Sequence, residues 1–312
     1  MTRLDSDILL TIWKWKLLST AALTELHFSK HAPSYAHRRL LDLKKAKLIE
    51  WLHIDGDAHG RSFAWTLTKK GFEAIRENLP QLREVGFRSE SIAHDLLVNA
   101  VHLGNWVHGT PKGCGLFSEQ ELRRCYIEHY PTWIPQTQIH RSDGYWLTQI
   151  STASGVVALE VERSQKSPSD YRAIAQFYSN RPELLRVVWV VRFKGLADAI
   201  FAAIQEIKGE GIGLHNFILE SDFRENGWSS KFFLGRDTGK PLSRLLPASI
   251  ATSSPHVGPT LLLNTRKCPH RSKTYSENQK SSVSHRLGSS LVAPSLLSIP
   301  SNNPSQGDPT YE

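Results

Sequence analysis

The sequence predicts an α+β protein with two folded regions and a C-terminal tail. Three observations lead to this prediction. The first 84 residues have three helical patterns followed by two strand patterns, residues 85–238 mix helical and strand-like segments, and residues 239–312 become rich in Ser and Pro. The order of elements in the middle region requires a mixed sheet with helices against its faces. A chain of 312 residues is consistent with about two domains.

Composition narrows the class of protein. The formal charge of +8 at pH 7 favours anionic partners such as nucleic acid. The three cysteines, Cys114, Cys125 and Cys268, lack the spacing of a zinc site and are too few for a disulfide scaffold, which fits a reducing cytosol. No apolar run is long enough to span a bilayer, and the N-terminus lacks a signal-peptide pattern. We therefore expect a cytoplasmic protein without a membrane partner.

The N-terminal region has the order of a winged helix-turn-helix. Ile8, Leu9, Ile12, Trp13 and Leu17 recur at helical spacing in a first helix. Ser19 and Thr20 favour the start of a second helix that continues to Leu26, and Pro33 favours the first turn of a third that continues to about Leu48. Strands over 48–54 and 62–67, with a turn at 55–57, form a hairpin, and a fourth helix begins near Gly71.

The third predicted helix is strongly basic and is the candidate DNA-recognition helix. Its cations include Arg38, Arg39, Lys44 and Lys45, against the single acid Asp42. In a winged helix-turn-helix such a helix enters the major groove while the wing contacts the backbone. The alternative is a protein-binding winged helix whose basic face is only solvated.

The candidate chemistry of the middle region lies on two predicted strands, over 138–148 and 156–162. Strand alternation places Val157, Leu159 and Val161 on one apolar face, and Glu160 and Glu162 together on the other. With Asp143 on the preceding strand, three carboxylates can converge and bind a hard cation such as Mg²⁺ or Mn²⁺. Lys166 is close enough in sequence to neutralise charge that develops on a phosphate.

Simpler interpretations of the same residues exist. Glu160 and Glu162 could form the solvated face of an edge strand, and Asp143-Gly144 could be only a hairpin turn. Tyr145, Tyr171 and Tyr178 are candidate nucleophiles for a covalent DNA intermediate, although tyrosines more often pack in a core. His140 is most simply a surface residue of a strand, and Trp13, Trp51, Trp65 and Trp189 are most simply core residues.

Taken together, these motifs resemble a known family. Asp143, followed after a gap by Glu160-x-Glu162, resembles the PD-(D/E)xK nuclease superfamily. The segments His94-Asp-Leu-x-Val-Asn, Asp143-Gly, Glu160-x-Glu162-x-Ser-x-Lys166 and Leu67-Thr-x-x-Gly71 look like the replication-relaxation family, which includes the MobC-type relaxases of mobilisable plasmids. The resemblance covers roughly residues 5–225.

The resemblance implies a fold, an activity and a set of site residues. The implied fold is a winged helix over 1–84 and a restriction-endonuclease-like domain over 85–238, followed by a linker and disordered tail over 239–312. The implied activity is a metal-dependent nick of one DNA strand at a transfer origin during plasmid mobilisation, with other mobilisation proteins as possible partners. Asp143 and Glu160 would be metal ligands, Glu162 a further ligand or outer-shell group, and Lys166 the phosphate-facing cation. Glu162 departs from the superfamily pattern, because most such nucleases have Lys two positions after the acid.

Two further possibilities stay open from the sequence. One is a non-catalytic DNA-binding protein, either an accessory factor or a transcription regulator of a mobile element. The other is a pure protein-interaction module, which would show no salt-dependent DNA binding.

The tail contains 13 Ser and 7 Pro in residues 250–312, a composition that predicts disorder.

Overall fold

The structure is a computed structural model that describes residues 1–54, 62–103, 115–136, 140–150, 153–207 and 210–245. It combines helices with a mixed sheet, which confirms the α+β class. The helices are α1 (Arg3–Trp15), α2 (Thr20–Phe28), α3 (Pro33–Lys45), α4 (Lys69–Ile75), α5 (Ile92–Leu103), α6 (Glu119–Arg124), α7 (Pro168–Ser179), α8 (Lys194–Gln205) and α9 (Glu220–Asn226). The strands are β1 (Leu17–Ser19), β2 (Ile49–Ile54), β3 (Ser62–Leu67), β4 (Gly115–Ser118), β5 (Gly144–Ile150), β6 (Ala153–Glu162), β7 (Leu184–Val191), β8 (His215–Leu219) and β9 (Leu234–Gly235).

Local sequence signals explain where the N-terminal helices begin. Thr2 and Asp5 form a reciprocal capping box at the start of α1. The Ser19 hydroxyl accepts a hydrogen bond from the Ala22 N–H, and Pro33 occupies the first turn of α3, as predicted. Strands β2 and β3 form the predicted antiparallel pair, with Trp51 opposite Trp65. The turn predicted at 55–57 lies outside the described residues.

One strand of the N-terminal sheet was not predicted. Leu17, which the helical spacing assigns to the first helix, lies in β1 and pairs with Thr66 of β3. The helix ends before it because Lys16 adopts a φ of 62°, and the Thr66 hydroxyl donates a 2.8 Å hydrogen bond to the Lys16 carbonyl. The sheet order is therefore β1-β3-β2, with β2 at one edge.

The larger sheet has the order β4-β5-β6-β7-β8-β9. The pairs β4-β5, β5-β6 and β8-β9 are antiparallel, whereas β6-β7 and β7-β8 are parallel. This arrangement is the mixed sheet that the sequence predicted. The strand that carries Glu160 and Glu162, β6, lies in the interior of the sheet, so the edge-strand interpretation of these acids is wrong.

Side-chain alternation along β6 follows the prediction on its apolar face. Val157, Leu159 and Val161 pack in one core cluster with Trp146 and with residues of α5. Ala158 packs on the opposite face, in a cluster that includes Trp189 of β7. Glu160 and Glu162 follow on that second face by alternation and are only 5% and 4% exposed.

Further findings concern the end of the packed chain and the tryptophans. The packed chain extends beyond residue 238, because Leu242 and Leu245 are buried and the Thr148 hydroxyl donates to the Leu245 carbonyl at 2.6 Å. Trp51 is 44% exposed and is not the core residue that the sequence suggests, whereas Trp13 is buried as expected.

Of the helices in the described ranges, none has the length and apolar character needed to cross a bilayer. The Ser- and Pro-rich stretch over 250–312 lies outside the described residues.

Candidate functional site

The candidate site lies where β5 begins and β6 ends, at one end of the mixed sheet. The Asp143 N–H donates a 2.9 Å hydrogen bond to the Leu159 carbonyl, and the Val161 N–H donates a 2.6 Å bond to Asp143 Oδ2. These bonds place Asp143 beside Glu160 on the neighbouring strand, as the sequence predicted. We use the term acid cluster for Asp143, Glu160 and Glu162.

Asp143-Gly144 is the entry to β5 and not a hairpin turn. Gly144 pairs with Leu159 and has a φ of 148°, which favours glycine. A Cβ atom at this position would lie 2.3 Å from His102 Nε2. The same ring nitrogen lies 3.1 Å from the Asp143 carbonyl oxygen, so the absence of a side chain at Gly144 lets His102 fix the backbone at the site.

Glu160 is held by half-buried His140 and by buried Tyr178. His140 Nε2 lies 2.7 Å from Glu160 Oε1, and the Tyr178 hydroxyl of α7 donates to the same oxygen. Burial lowers the pKa of His140, but the Glu160 carboxylate offsets this effect and raises the pKa above its ordinary value. His140 is therefore part of the site and not a surface strand residue.

None of the three tyrosines has the surroundings of a nucleophile. Tyr145, Tyr171 and Tyr178 are all buried. Burial, together with the charge of Glu160, raises the pKa of Tyr178 well above its usual range. The Tyr178 hydroxyl is thus a hydrogen-bond donor to Glu160, and its proton is retained at neutral pH.

Glu162 is paired with a lysine at the mouth of the site. Lys166 Nζ lies 2.7 Å from Glu162 Oε2, and the Lys166 side chain is 46% exposed. Burial raises the pKa of Glu162, and Lys166 opposes that rise only in part. The ammonium thus lies at the boundary between a buried carboxylate and solvent, a place from which it can meet an incoming anion.

Asp143 belongs to a chain of charges that begins in the N-terminal region. Lys16 Nζ lies 3.0 Å from Asp95 Oδ1 and 2.5 Å from Glu119 Oε2. Asp95 Oδ1 lies 3.3 Å from His94 Nδ1, and His94 Nε2 lies 3.4 Å from Asp143 Oδ1. His94 and Asp95 belong to one of the segments on which the family resemblance rests, but Lys16, Glu119 and Asp143 are far from them along the polypeptide, so no sequence pattern linked the whole chain of charges.

The charge chain sets the protonation states of its members. Burial lowers the pKa of His94, but Asp143 and Asp95 outweigh burial and raise it to about 10. Burial raises the pKa of Asp143, yet His94 and the Val161 N–H bring it below its usual value. At neutral pH, His94 is therefore an imidazolium between two carboxylates.

The charge state of His94 predicts a pH dependence of stability. Because its pKa rises from an ordinary value of about 6.5 to about 10 on folding, its stabilising contribution is complete below pH 6.5. The contribution is lost as the pH rises through 10. In urea unfolding of the metal-free protein, we expect the stability advantage of wild type over His94→Gln to shrink between pH 7 and 10. An advantage that stays constant over this range would contradict the assignment.

The acid cluster fits a hard cation in its chemistry but is not a ready-made metal centre. Carboxylate oxygens are the ligands that Mg²⁺ and Mn²⁺ prefer, and Mg²⁺ often uses only one or two carboxylates with water and phosphate oxygens. Among the described residues, however, no three His, Cys, Asp or Glu side chains lie close enough together to hold an ion. The contacts above give a physical reason: each acid of the cluster is neutralised by a separate partner on the protein. The binding of an ion by Asp143, Glu160 and Glu162 together stays a prediction.

A fourth acid at the same end of the sheet was not predicted. Glu220 begins α9 directly after β8 and is buried. Its carboxylate lies 3.3 Å from Arg163 Nε and 2.8 Å from Arg224 Nη2. The parallel order β6-β7-β8 brings the ends of β6 and β8 to one side of the sheet. Only a correct strand order could have indicated this neighbour.

The four predicted DNA-contacting residues of α3 have different surroundings. Arg38 and Lys45 are exposed. Lys45 Nζ lies 4.0 Å from Asp42 Oδ1, and the Lys45 side chain is 81% exposed. Lys44 Nζ lies 2.9 Å from the centre of the Trp51 ring. Arg39 instead donates two hydrogen bonds, of 2.7 and 2.6 Å, to the carboxylate of buried Asp5. Its guanidinium is therefore paired within the protein.

Comparisons with known proteins leave the family of this chain open. The chain matches no protein-family model and no curated protein. Two solved structures of a ZitR double mutant from Lactococcus lactis, one in the apo form, are 22% identical over 25% of this chain, each with a TM-score of 0.21. The match spans 55% and 50% of those chains, about half of their length. Superposition at this level is too poor to support any conclusion about fold or activity.

Proposed function

We propose that the protein is a metal-dependent DNA endonuclease that nicks one strand, as the resemblance to the replication-relaxation family implies. The observation that carries the proposal is the pair of buried acids on an interior strand with a half-exposed ammonium beside them. Lys166 lies 2.7 Å from Glu162 and so supplies a cation next to the position where the superfamily pattern has Lys. The preferred substrate is double-stranded DNA at a plasmid transfer origin.

Different residues of the chain would orient the carboxylates and bind the phosphate during cleavage. The Val161 N–H and His94 hold Asp143, while His140 and Tyr178 hold Glu160, so both carboxylates keep a fixed orientation. Lys166 would bind a non-bridging phosphate oxygen and neutralise charge that develops there. A bound Mg²⁺ or Mn²⁺ would supply a Lewis acid and a water of lowered pKa.

The N-terminal region supports a DNA partner. Its three helices and antiparallel β2-β3 pair have the order of a winged helix-turn-helix, in which α3 would be the recognition helix. The described charges on the outer surface of α3 include Arg38 and Lys45. We propose that this region binds duplex DNA and orients it, and that the mixed-sheet region is the restriction-endonuclease-like part.

One observation favours a second candidate function. Each acid of the cluster already has a partner on the protein, and no metal-binding group of three is found in the described residues. A catalytically inactive descendant would keep such internal ion pairs for stability. The second candidate is therefore a non-catalytic DNA-binding accessory or regulatory protein of a mobile element.

Plasmid nicking separates the two candidates. Supercoiled plasmid that carries the transfer origin of the protein's own element would be incubated with full-length protein and Mg²⁺, Mn²⁺ or EDTA. The endonuclease proposal predicts an open-circular product with either metal and none with EDTA. Duplex binding without any nicked product would favour the accessory protein.

The surface of α3 gives a separate prediction for DNA binding. If Arg38 and Lys45 contact phosphates, Arg38→Ala with Lys45→Ala removes two counterion-releasing contacts. We expect weaker duplex binding and a log–log salt slope that flattens by about two units. Fluorescence anisotropy at several salt concentrations measures both quantities. An unchanged slope in the folded double variant would show that α3 does not contact the DNA backbone.

Arg39 is expected to behave differently from its neighbours. The Arg39 guanidinium is hydrogen-bonded to Asp5. Arg39→Ala should therefore lower the unfolding free energy of the protein and leave the salt slope of DNA binding unchanged. This variant is therefore a control for loss of positive charge in α3 without loss of an exposed contact.

A further inference from the structure

One aromatic ring is exposed to solvent on the sheet next to α3, and a half-buried ring stacks against it. Trp51 of the edge strand β2 is 44% exposed and stacks on Phe63 of β3, with ring centres 5.2 Å apart and an interplanar angle of 25°. Lys44 of α3 places its ammonium 2.9 Å from the centre of the Trp51 ring. We call Lys44, Trp51 and Phe63 the aromatic platform.

Packing of the core does not account for the large side chain of Trp51. Ile49 and Leu67 lie on the same face of the sheet and are buried under the helices, and Trp65, directly opposite Trp51, is also buried. Trp51 extends past this packed part, so a large apolar ring stays in contact with water. Tryptophan combines a large apolar ring with a polar N–H and is enriched at binding interfaces.

The start of α3 repeats the same pairing of a ring with a cation. Tyr35 is 37% exposed, and the guanidinium carbon of Arg38 lies 6.0 Å from its ring centre. Tyr35 and Lys44 are nine residues apart in α3, which at about 100° per residue places them on opposite sides of the helix. The Tyr35-Arg38 pair is therefore separate from the aromatic platform and does not extend it. Within the platform itself, a ring and a cation lie side by side, the combination found on surfaces that bind single-stranded nucleic acid.

We propose that the aromatic platform binds an unpaired DNA base by stacking on Trp51, with Lys44 moving from the ring to the adjacent phosphate. Bases within a duplex are stacked on each other and cannot offer their faces, so the ligand is a single-stranded segment. The cation argues for this ligand over an apolar protein segment, because a nucleotide has both a π face and a negative charge. The inference rests only on the DNA-binding part of the proposed function.

The test compares single-stranded and duplex binding by full-length protein and its variants. The probes are fluorescein-labelled oligothymidylate and a labelled duplex of equal length, both without metal. Trp51→Ala should weaken oligothymidylate binding by about 5- to 150-fold, the effect of losing one stacked base, with an unchanged salt slope. Trp51→Phe should restore part of the affinity, and Lys44→Met should flatten the salt slope by about 0.7 units.

Val85→Ala serves as the matched control, because Val85 is also an exposed apolar residue but lies outside the platform. It should bind like wild type. Thermal melts of each variant establish that it is folded, which we expect for Trp51→Ala because the ring is partly outside the core.

Several outcomes would overturn the inference. These are unchanged oligothymidylate affinity in folded Trp51→Ala, an equal loss for duplex and single strand, or a change in oligomeric state without a change in DNA binding. The last outcome would identify the platform as a protein interface. Failure of the endonuclease proposal is distinguishable, since wild type would then show Trp51-dependent oligothymidylate binding but no nicking with metal.

Discussion

Glu162→Gln is expected to abolish nicking of supercoiled plasmid while leaving duplex binding intact. The substitution preserves the size of the side chain but removes the charge that pairs with Lys166 and would bind the ion. We expect a rate loss greater than the 10- to 100-fold that is typical of outer-shell partners. Initial rates of open-circle formation in Mg²⁺ and Mn²⁺ measure the effect.

Two companion variants test the specificity of this result. Asp143→Asn should lose activity to a similar extent, because it removes another carboxylate of the acid cluster. Glu220→Gln is the control, since Glu220 is a buried acid at the same end of the sheet but is paired with Arg163 and Arg224. Nicking by Glu162→Gln at the wild-type rate would rule out a catalytic role for the acid cluster.

The second large effect is expected on stability, at Lys16. The Lys16 ammonium forms ion pairs with the Asp95 and Glu119 carboxylates inside the protein. The Asn99 side-chain amide donates hydrogen bonds to the carbonyls of Trp15 and Leu17, on either side of Lys16. Lys16→Met keeps most of the side chain but leaves Asp95 buried with one cation fewer. Breaking a buried pair in this way costs about 3–5 kcal/mol of unfolding free energy. Urea denaturation at pH 7 measures the loss.

A lysine at the surface provides the comparison for Lys16. Lys45→Met removes a cation from a pair with Asp42 that is open to solvent, and it should change stability by less than about 1 kcal/mol. A double-mutant cycle of Lys16→Met with Asp95→Asn should give a coupling energy within about 0.5–3 kcal/mol. Equal effects of the two lysine substitutions would mean that the charge chain has no structural importance.

Patterns that are local in sequence predicted much of the fold. Helical spacing and caps found α1, α2 and α3, and alternation on β6 correctly separated Val157, Leu159 and Val161 from Glu160 and Glu162. Asp143 was placed beside Glu160 because two neighbouring strands were recognised. The helical and alternation signals depend on residues a few positions apart, whereas the placement of Asp143 needs only the pairing of two consecutive strands.

Features that depend on long-range pairing were missed. Strand β1 is too short to have a pattern of its own and exists because it pairs with β3. The contacts of His140 and Tyr178 with Glu160, and of Lys16 with Asp95, join elements far apart in sequence. Arg39 illustrates the same limit, because its sequence neighbours indicate a DNA contact whereas its partner in space is Asp5.

Direct measurement of Mn²⁺ binding tests the central claim, that the acid cluster holds the ion for DNA cleavage. Electron paramagnetic resonance of free Mn²⁺, titrated with full-length protein in the presence of cognate duplex, counts the bound ions. The account predicts saturable binding by wild type that Mg²⁺ displaces, and loss of that binding in both Asp143→Asn and Glu162→Gln. Wild-type protein that binds no Mn²⁺, or variants that bind it as tightly as wild type, would contradict the account.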